Sequence, residues 1–130
     1  MGRTALLFAL ALAGCAAERP AYQPPAPGPT FVRLHNMSAS TLEDVHVSFR
    51  GTPVSYGTIG PGETSAYRPA DGAYRYAYMR ATVGGETLVL QPIDFVGERR
   101  LGGGYFTYHL AVSDAWPQLT VERVSQDPVP

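Results

Sequence analysis

Alternation of hydrophobic and polar residues dominates the chain from Phe31 onward. Short alternating runs are separated by turns rich in glycine, proline and aspartate, a spacing typical of strands joined by hairpin-sized connections. Gly84-Gly85 is a strong two-residue hairpin signal. No window of helical length carries the 3.6-residue apolar stripe of an amphipathic helix. The pattern predicts strands at 31–36, 42–49, 54–59, 64–68, 73–83, 86–91, 105–112 and 119–124.

Seven or eight short strands in about ninety residues predict an all-β fold. We expect an antiparallel β-sandwich of immunoglobulin-like or transthyretin-like arrangement, and a small closed barrel is the alternative that periodicity does not distinguish. No internal repeat or further boundary follows Thr30, so a single β-sandwich domain is predicted over residues 31–126. An irregular apolar loop is expected at 93–98, and a frayed tail from Gln126.

The N-terminus carries an apolar run of a different kind. Arg3 supplies a positive charge, Ala5–Leu12 is continuously apolar, and two small residues precede the single cysteine, Cys15. The run is far shorter than the ~20 apolar residues that span a bilayer, so it predicts a cleaved signal peptide over residues 1–14. An ordinary secretory signal, with the cysteine present by chance, is the alternative.

Leu12-Ala13-Gly14-Cys15 resembles the lipobox of bacterial lipoproteins. The resemblance implies cleavage before Cys15 and transfer of a diacylglycerol to its sulfur, so that acyl chains such as palmitate attach the protein to a membrane. A multiply acylated cysteine anchors stably, whereas one chain holds weakly. In Gram-negative members of this family an aspartate after the cysteine favours the inner membrane. Ala16 at that position therefore implies the outer membrane, with the domain facing the periplasm.

The segment 15–30 contains the lipidated cysteine and a proline-rich tether. Five of the fifteen residues from Ala16 to Thr30 are prolines, which lack a backbone donor and favour extended polyproline conformation. At roughly 3 Å per residue, such a tether holds the domain up to ~45 Å from the anchor. A ligand for a proline-binding groove is the alternative interpretation.

Composition narrows the classes of partner. Removing the first fourteen residues of the 130-residue chain leaves 116, enough for one domain. All ten basic residues are arginines, and loss of Arg3 leaves nine against eleven carboxylates, a net charge near −2. No basic face for nucleic acid is visible in the sequence. With its only thiol committed to lipid, the domain has no disulfide and depends on apolar packing.

A row of tyrosines is the most unusual candidate for a binding surface. Tyr74, Tyr76, Tyr78 and Arg80 alternate along the predicted strand 73–83 and therefore share one face. Alternate tyrosines form an amphipathic platform that suits a sugar or a protein partner. The alternative is purely structural, because cross-strand aromatic pairs stabilise a sheet by roughly 0.2–1 kcal/mol each without any ligand.

Candidate catalytic and metal-binding residues are few. Asp44 and His46 share a strand face, and a neighbouring His35 would make a metal site geometrically possible, although no close histidine motif supports one. His109 lies near Ser113 in sequence, but no Gly-x-Ser-x-Gly elbow accompanies them. The sequence therefore predicts neither an enzyme nor a bound metal or cofactor.

Two stretches of the domain carry a second resemblance. After the proline-rich tether, 31–36 and the turn-and-strand segment 60–69 are similar to those of uncharacterised bacterial lipoproteins with a small β-sandwich domain. That resemblance implies no catalytic residue. We therefore expect a non-enzymatic accessory or scaffold protein of the cell envelope, with an envelope protein as its partner. The alternative is a glycan- or peptidoglycan-binding module that uses the tyrosine face.

Overall fold

The computed structural model describes residues 24–92 and 99–130, which form two four-stranded sheets. The predicted signal peptide, Cys15, the first part of the tether and the apolar loop predicted at 93–98 lie outside the described residues. Eight strands follow one another in the chain: β1 (Thr30–Asn36), β2 (Leu42–Phe49), β3 (Thr52–Ile59), β4 (Arg68–Pro69), β5 (Tyr78–Val83), β6 (Glu86–Leu90), β7 (Gly104–Val112) and β8 (Leu119–Asp127).

The strand order confirms the predicted β-sandwich. One sheet has the order β4-β1-β7-β8 and the other β3-β2-β5-β6, so the described strands make two separate sheets and the barrel alternative is wrong. In the immunoglobulin arrangement the first two strands share a sheet, whereas β1 and β2 lie in different sheets here. The transthyretin-like alternative remains. One pair departs from the antiparallel expectation, because β1 runs parallel to β7.

Most predicted strands are found within a few residues, and three differ. The predicted strand 64–68 shrinks to β4 and an isolated bridge between His35 and Thr64. The predicted strand 73–83 begins only at Tyr78, because the chain before it turns across the end of the sandwich. The last strand continues to Asp127, past the tail expected from Gln126, since its partner Tyr105 keeps it in register.

The core contains the hydrophobic side chains that alternation predicted to face inward. On β1, for example, Val32 and Leu34 are fully buried between the sheets, and Tyr108 of β7 is buried with them. A bulge in β2 at Asp44, which has a φ of 49°, shifts the register so that both Leu42 and Val45 point inward. The hydrophobic core thus extends the full length of β2.

The two ends of the sandwich differ in what they connect. The end where β1 begins, called here the tether end, holds the β2–β3 turn and the segments 70–77 and 99–103. The opposite end, called the far end, holds the loops 37–41 and 113–118 and the predicted hairpin turn Gly84-Gly85, which is confirmed.

The last part of the predicted tether lies against the domain. Gly103 N–H donates to the carbonyl of Ala26 at 2.8 Å, and Gly104 N–H donates to that of Pro29 at 2.9 Å. A Cβ at Gly103 would lie 2.3 Å from the Pro27 oxygen, so only glycine permits this approach. The glycine run Gly102–Gly104 therefore forms the surface against which the proline-rich segment packs, called here its seat.

Candidate functional site

Tyr78 and Arg80 occupy the outer face of β5, where the sequence placed them. Met79 between them and Ala81 after Arg80 are fully buried, and Tyr78 remains 40% exposed. Tyr74 and Tyr76 are not on this strand, because the predicted extended run is interrupted before Tyr78. The predicted tyrosine ladder on one strand face is therefore wrong in its geometry.

The three tyrosines nevertheless meet, around a cleft at the tether end. The cleft has a volume of about 330 Å³ and opens between the end of β2, the segment before β5 and the residues after β6. Its lining is mainly apolar. Beside Tyr74, Tyr76 and Tyr78 it includes Phe49, Ala73, Ala77 and Pro92, with Ser48, Arg50 and Gln91 as polar members. A few polar groups in an apolar cleft of this size are typical of ligand sites. Arg80 is not part of the lining.

Backbone geometry at the β2–β3 turn shapes one wall of the cleft. Arg50 and Gly51 have φ angles of 51° and 80°, the two positive values of a two-residue hairpin turn. Phe49 and Thr52 pair directly on either side of them. A Cβ at Gly72 would lie 2.1 Å from Cδ of Arg50, so the arginine stem packs closely over this glycine.

Hydrogen bonds from the core hold the tyrosine segment. The hydroxyl of Tyr108, a fully buried residue of β7, donates to the carbonyl of Tyr74. Leu101 N–H donates to the carbonyl of Ala73 at 2.8 Å. Burial raises the pKa of the Tyr108 phenol well above its ordinary value, so the hydroxyl stays protonated and can donate. The cleft wall is therefore tied to the centre of the sandwich.

Arg80 lies in a different part of the outer sheet. It stands opposite His46 on β2 and Val89 on β6, the latter 47% exposed. His46 in turn lies 3.0 Å from the backbone oxygen and 3.6 Å from the carboxylate of Asp44 through its Nδ1. Of the four residues predicted as a binding face, the structure brings together the three tyrosines and separates the arginine.

The histidine arrangement differs from the expected metal alternative. His35 lies in the other sheet from His46, so the histidine expected beside Asp44 and His46 is not there. His35 instead pairs with His109 across β1 and β7. Among residues 24–92 and 99–130, no three His, Cys, Asp or Glu side chains converge as a metal site.

A polar network on the outer face of the β1–β7–β8 sheet escaped the sequence analysis. Asp127 accepts hydrogen bonds from the hydroxyls of Tyr67 and Thr107, and its carboxylate lies 3.5 Å from Nε of Arg33. The guanidinium of Arg33 also lies 4.7 Å from the centre of the Tyr67 ring. Alternation predicts an outward face for Arg33 and Thr107, but Asp127 falls in the tail that was expected to fray, and the pairing of Arg33 with Thr107 depends on a parallel register that the sequence did not predict.

His109 joins the same face. Its Nε2 lies 2.9 Å from Oγ of Ser125, and that oxygen lies 3.5 Å from the Asp127 carboxylate. Ser113, the serine near it in sequence, instead donates to the carbonyl of Trp116 at the far end. A histidine beside a serine is one element of a hydrolytic site, which also needs donors for an oxyanion. The contacts of this network serve to bind three strands together.

Comparison with known proteins shows the fold and no more. No family model matches the chain, and no curated protein matches it. The solved structure described as "NMR structure of the protein from Eubacterium rectale" is similar, with a TM-score of 0.53 and 17% identity. The similarity covers 73% of this chain and 89% of that one. Within the described ranges, no helix is long and apolar enough to cross a membrane.

Proposed function

We propose that this chain is a lipid-anchored, non-enzymatic accessory or scaffold protein of the bacterial cell envelope. An acylated Cys15 attaches it to the outer membrane on the periplasmic side. The sequence Leu12-Ala13-Gly14-Cys15, which ends a short apolar run, supports the anchor, and Ala16 supports the outer membrane. The partner binds the tyrosine cleft at the tether end.

The observation that carries the binding role is the convergence of Tyr74, Tyr76 and Tyr78 on one apolar cleft. Tyrosine is enriched at protein interfaces because it offers a large apolar area, a polar tip and few torsions to immobilise. Tyr78 is exposed and is one of the residues that line the cleft. A partner that inserts an apolar group between these rings would find a preformed site.

Metabolic labelling tests the anchor. Cells that express the full chain are supplied with a palmitate analogue, and the purified protein is examined for the label. The wild-type chain is expected to be labelled and to fractionate with membranes, whereas Cys15→Ser is expected to be unlabelled and released. Equal labelling of both chains would contradict the anchor.

Site-specific photo-crosslinking in cells tests the cleft. A photoreactive residue is placed at Tyr78, and at Glu122, which is exposed on β8 in the other sheet. A discrete adduct is expected from position 78 and not from 122, and Tyr76→Ala is expected to weaken it. An identical adduct pattern from both positions, or none from 78, would refute the cleft as the partner site.

Binding of a glycan or peptidoglycan strand is the second candidate. Tyrosine rings flanked by Arg50 and Gln91 favour it, because aromatic faces pack on a sugar ring while polar groups meet its hydroxyls. Retention on peptidoglycan and on other envelope polysaccharides is the measurement. Tyr76→Ala should abolish retention, and Trp116→Ala, an aromatic that is 83% exposed at the far end, should leave it unchanged.

A further inference from the structure

The contact between the proline-rich segment and the glycine run determines which end of the domain faces the lipid anchor. Residues Pro25–Pro29 lie against Gly102–Gly104, so the chain reaches the domain at the tether end. Pro24 is nine positions after Cys15, and at roughly 3 Å per residue these positions span at most ~27 Å. Under the proposed function, on which this inference rests, the tether end therefore lies close to the lipid surface.

Arginines collect at this same end. Arg75, Arg99 and Arg100 line one groove of about 270 Å³. Arg100 and Arg50 line the neighbouring groove of about 550 Å³, together with the tether residues Pro25–Thr30. All four arginines are exposed. Among the described residues of this end, Asp71 is the exposed carboxylate, and its Oδ1 accepts a hydrogen bond from Thr30 N–H at 3.2 Å.

Exposed carboxylates collect at the opposite end. They belong to the start of β2, the β3–β4 connection, the β5–β6 turn and the β7–β8 loop, namely Glu43, Asp44, Glu63, Glu86 and Asp114. A nine-residue strand such as β7 is about 30 Å long at ~3.3 Å per residue. The Debye length is only ~10 Å at 0.1 M salt. A surface that touches the tether end therefore interacts with the arginines and is screened from the far carboxylates.

We propose that the tether end is a second attachment site, which docks Arg50, Arg75 and Arg100 on the phosphates of an anionic phospholipid bilayer. Guanidinium groups bind phosphate through paired hydrogen bonds, which ammonium groups do not offer in the same geometry. Lipid chains combined with a basic patch hold a protein at a membrane more firmly than lipid alone. The tyrosine cleft, whose lining shares Arg50 and Gly72 with the arginine groove, then opens beside the membrane surface.

Vesicle co-sedimentation tests this surface without the lipid anchor. The chain from residue 15 with Cys15→Ser carries no acyl group and keeps every described strand, because β1 begins at Thr30. It is expected to bind phosphatidylcholine vesicles that contain phosphatidylglycerol, not pure phosphatidylcholine vesicles, and to dissociate as salt is raised. Arg75→Ser and Arg100→Ser should each lower the binding constant about fivefold, since each basic residue near an anionic surface contributes about that factor.

Arg123→Ser is the matched control, because Arg123 is exposed on β8 opposite His109, away from the tether end. It should bind as the parent chain does, and thermal unfolding of all variants verifies that they fold. Equal binding to both kinds of vesicle, or an equal loss in the control, would overturn the proposal. Binding of inorganic phosphate without binding to the anionic vesicles would also overturn it, in favour of a discrete phosphate site.

The two proposals fail separately in these experiments. Vesicle binding by the unlipidated chain, together with no palmitate label at Cys15 in cells, would leave the arginine surface standing and remove the anchor. Palmitate label in cells, with no binding of the unlipidated chain to anionic vesicles, would leave the anchor and remove the surface.

Discussion

Nδ1 of His35 lies 2.8 Å from Nδ1 of His109. The two residues are register partners in the parallel pair β1–β7, and their rings meet edge to face. One ring must donate and the other accept, because a hydrogen bond between two like nitrogens needs one proton between them. Full protonation of both rings would place two N–H groups against each other. The contact therefore makes this face of the sheet sensitive to pH.

Stability is expected to fall as pH falls below the ordinary histidine range. Burial lowers the pKa of His109, and Arg123, His35 and Arg33 lower it further, while Asp127 opposes them. In the unfolded chain His109 takes up a proton near its ordinary pKa of ~6.5, and in the folded chain it does so at a lower pH. Its contribution to the free energy of unfolding is therefore complete above pH ~6.5 and declines below that pH. Thermal unfolding measured across this range, with His109→Gln as comparison, tests the prediction. An unchanged pH profile in His109→Gln would contradict it.

The carboxylate of Asp127 is expected to stabilise the three-strand network. Burial alone would raise its pKa, but hydrogen bonds donated by Thr107 and Tyr67, with the charge of Arg33, hold the pKa below its ordinary value. Asp127→Asn should lower the free energy of unfolding by about 1.5–3 kcal/mol, the range for hydrogen bonds to a charged group. The carboxylate contribution is present above its ordinary pKa and is lost as pH falls toward the lowered one.

Urea unfolding at neutral pH measures the effect of Asp127→Asn. Asp114→Asn is the control, because Asp114 is exposed in the far-end loop. The control should change stability by less than about 0.5 kcal/mol. Equal losses in the two variants would show that the network contributes nothing specific.

Gly103→Ala is expected to release the tether from its seat. The new methyl group would lie 2.3 Å from the Pro27 carbonyl oxygen, so the segment before β1 must move and the Gly103–Ala26 hydrogen bond is lost. Loss of about 1 kcal/mol is expected for one such bond, with faster proteolysis at residues 24–29. In a chain that lacks residues 24–29, Gly103→Ala should cause no further loss of unfolding free energy. This is the result that a double-mutant cycle gives when the glycine stabilises the domain only through its contact with those residues. Additive losses would contradict the seat.

Tyr108→Phe is expected to loosen the wall of the tyrosine cleft. It removes the hydroxyl that donates to the Tyr74 carbonyl and should cost about 1 kcal/mol of unfolding free energy. The adduct from position 78 should weaken with it. Tyr56→Phe is the matched control, since Tyr56 is also buried and its hydroxyl donates to the Val32 carbonyl at 2.8 Å. The control should lower stability similarly and leave the adduct intact; an equal effect on the adduct would refute the link.

Much of the fold follows from local patterns. The inward residues of β1 and β7, and those of β2 from Val45 to Phe49, are the ones that alternation assigned, because each strand has one face on the core and side chains alternate between faces. Leu42 points inward only because of the bulge at Asp44. The Gly84-Gly85 turn is where its residues predict it. The parallel pairing of β1 with β7 was not predicted, since register partners such as Thr30 and Gly104 lie 74 positions apart and no local feature specifies a distant neighbour.

The candidate site likewise combines features that local patterns predicted with features that depend on the tertiary structure. Tyr74, Tyr76 and Tyr78 were identified from composition and spacing, yet their grouping around a cleft arises because the chain leaves extended geometry before Tyr78 and bonds to Tyr108. Arg80 was grouped with them by alternation and stands apart, across from His46. A period of two predicts which face a side chain occupies within a strand, and it loses meaning where the strand ends.

The sequence by itself determined the class of this protein: an all-β chain of short strands, one cysteine in a lipobox-like setting, and a proline-rich stretch before the domain. Those properties depend on residue type and local spacing. Only the tertiary structure decided that arginines meet at the tether end and carboxylates at the far end. Loops distant in sequence became neighbours through strand order, so the charge separation of a nearly neutral chain is a property of its topology.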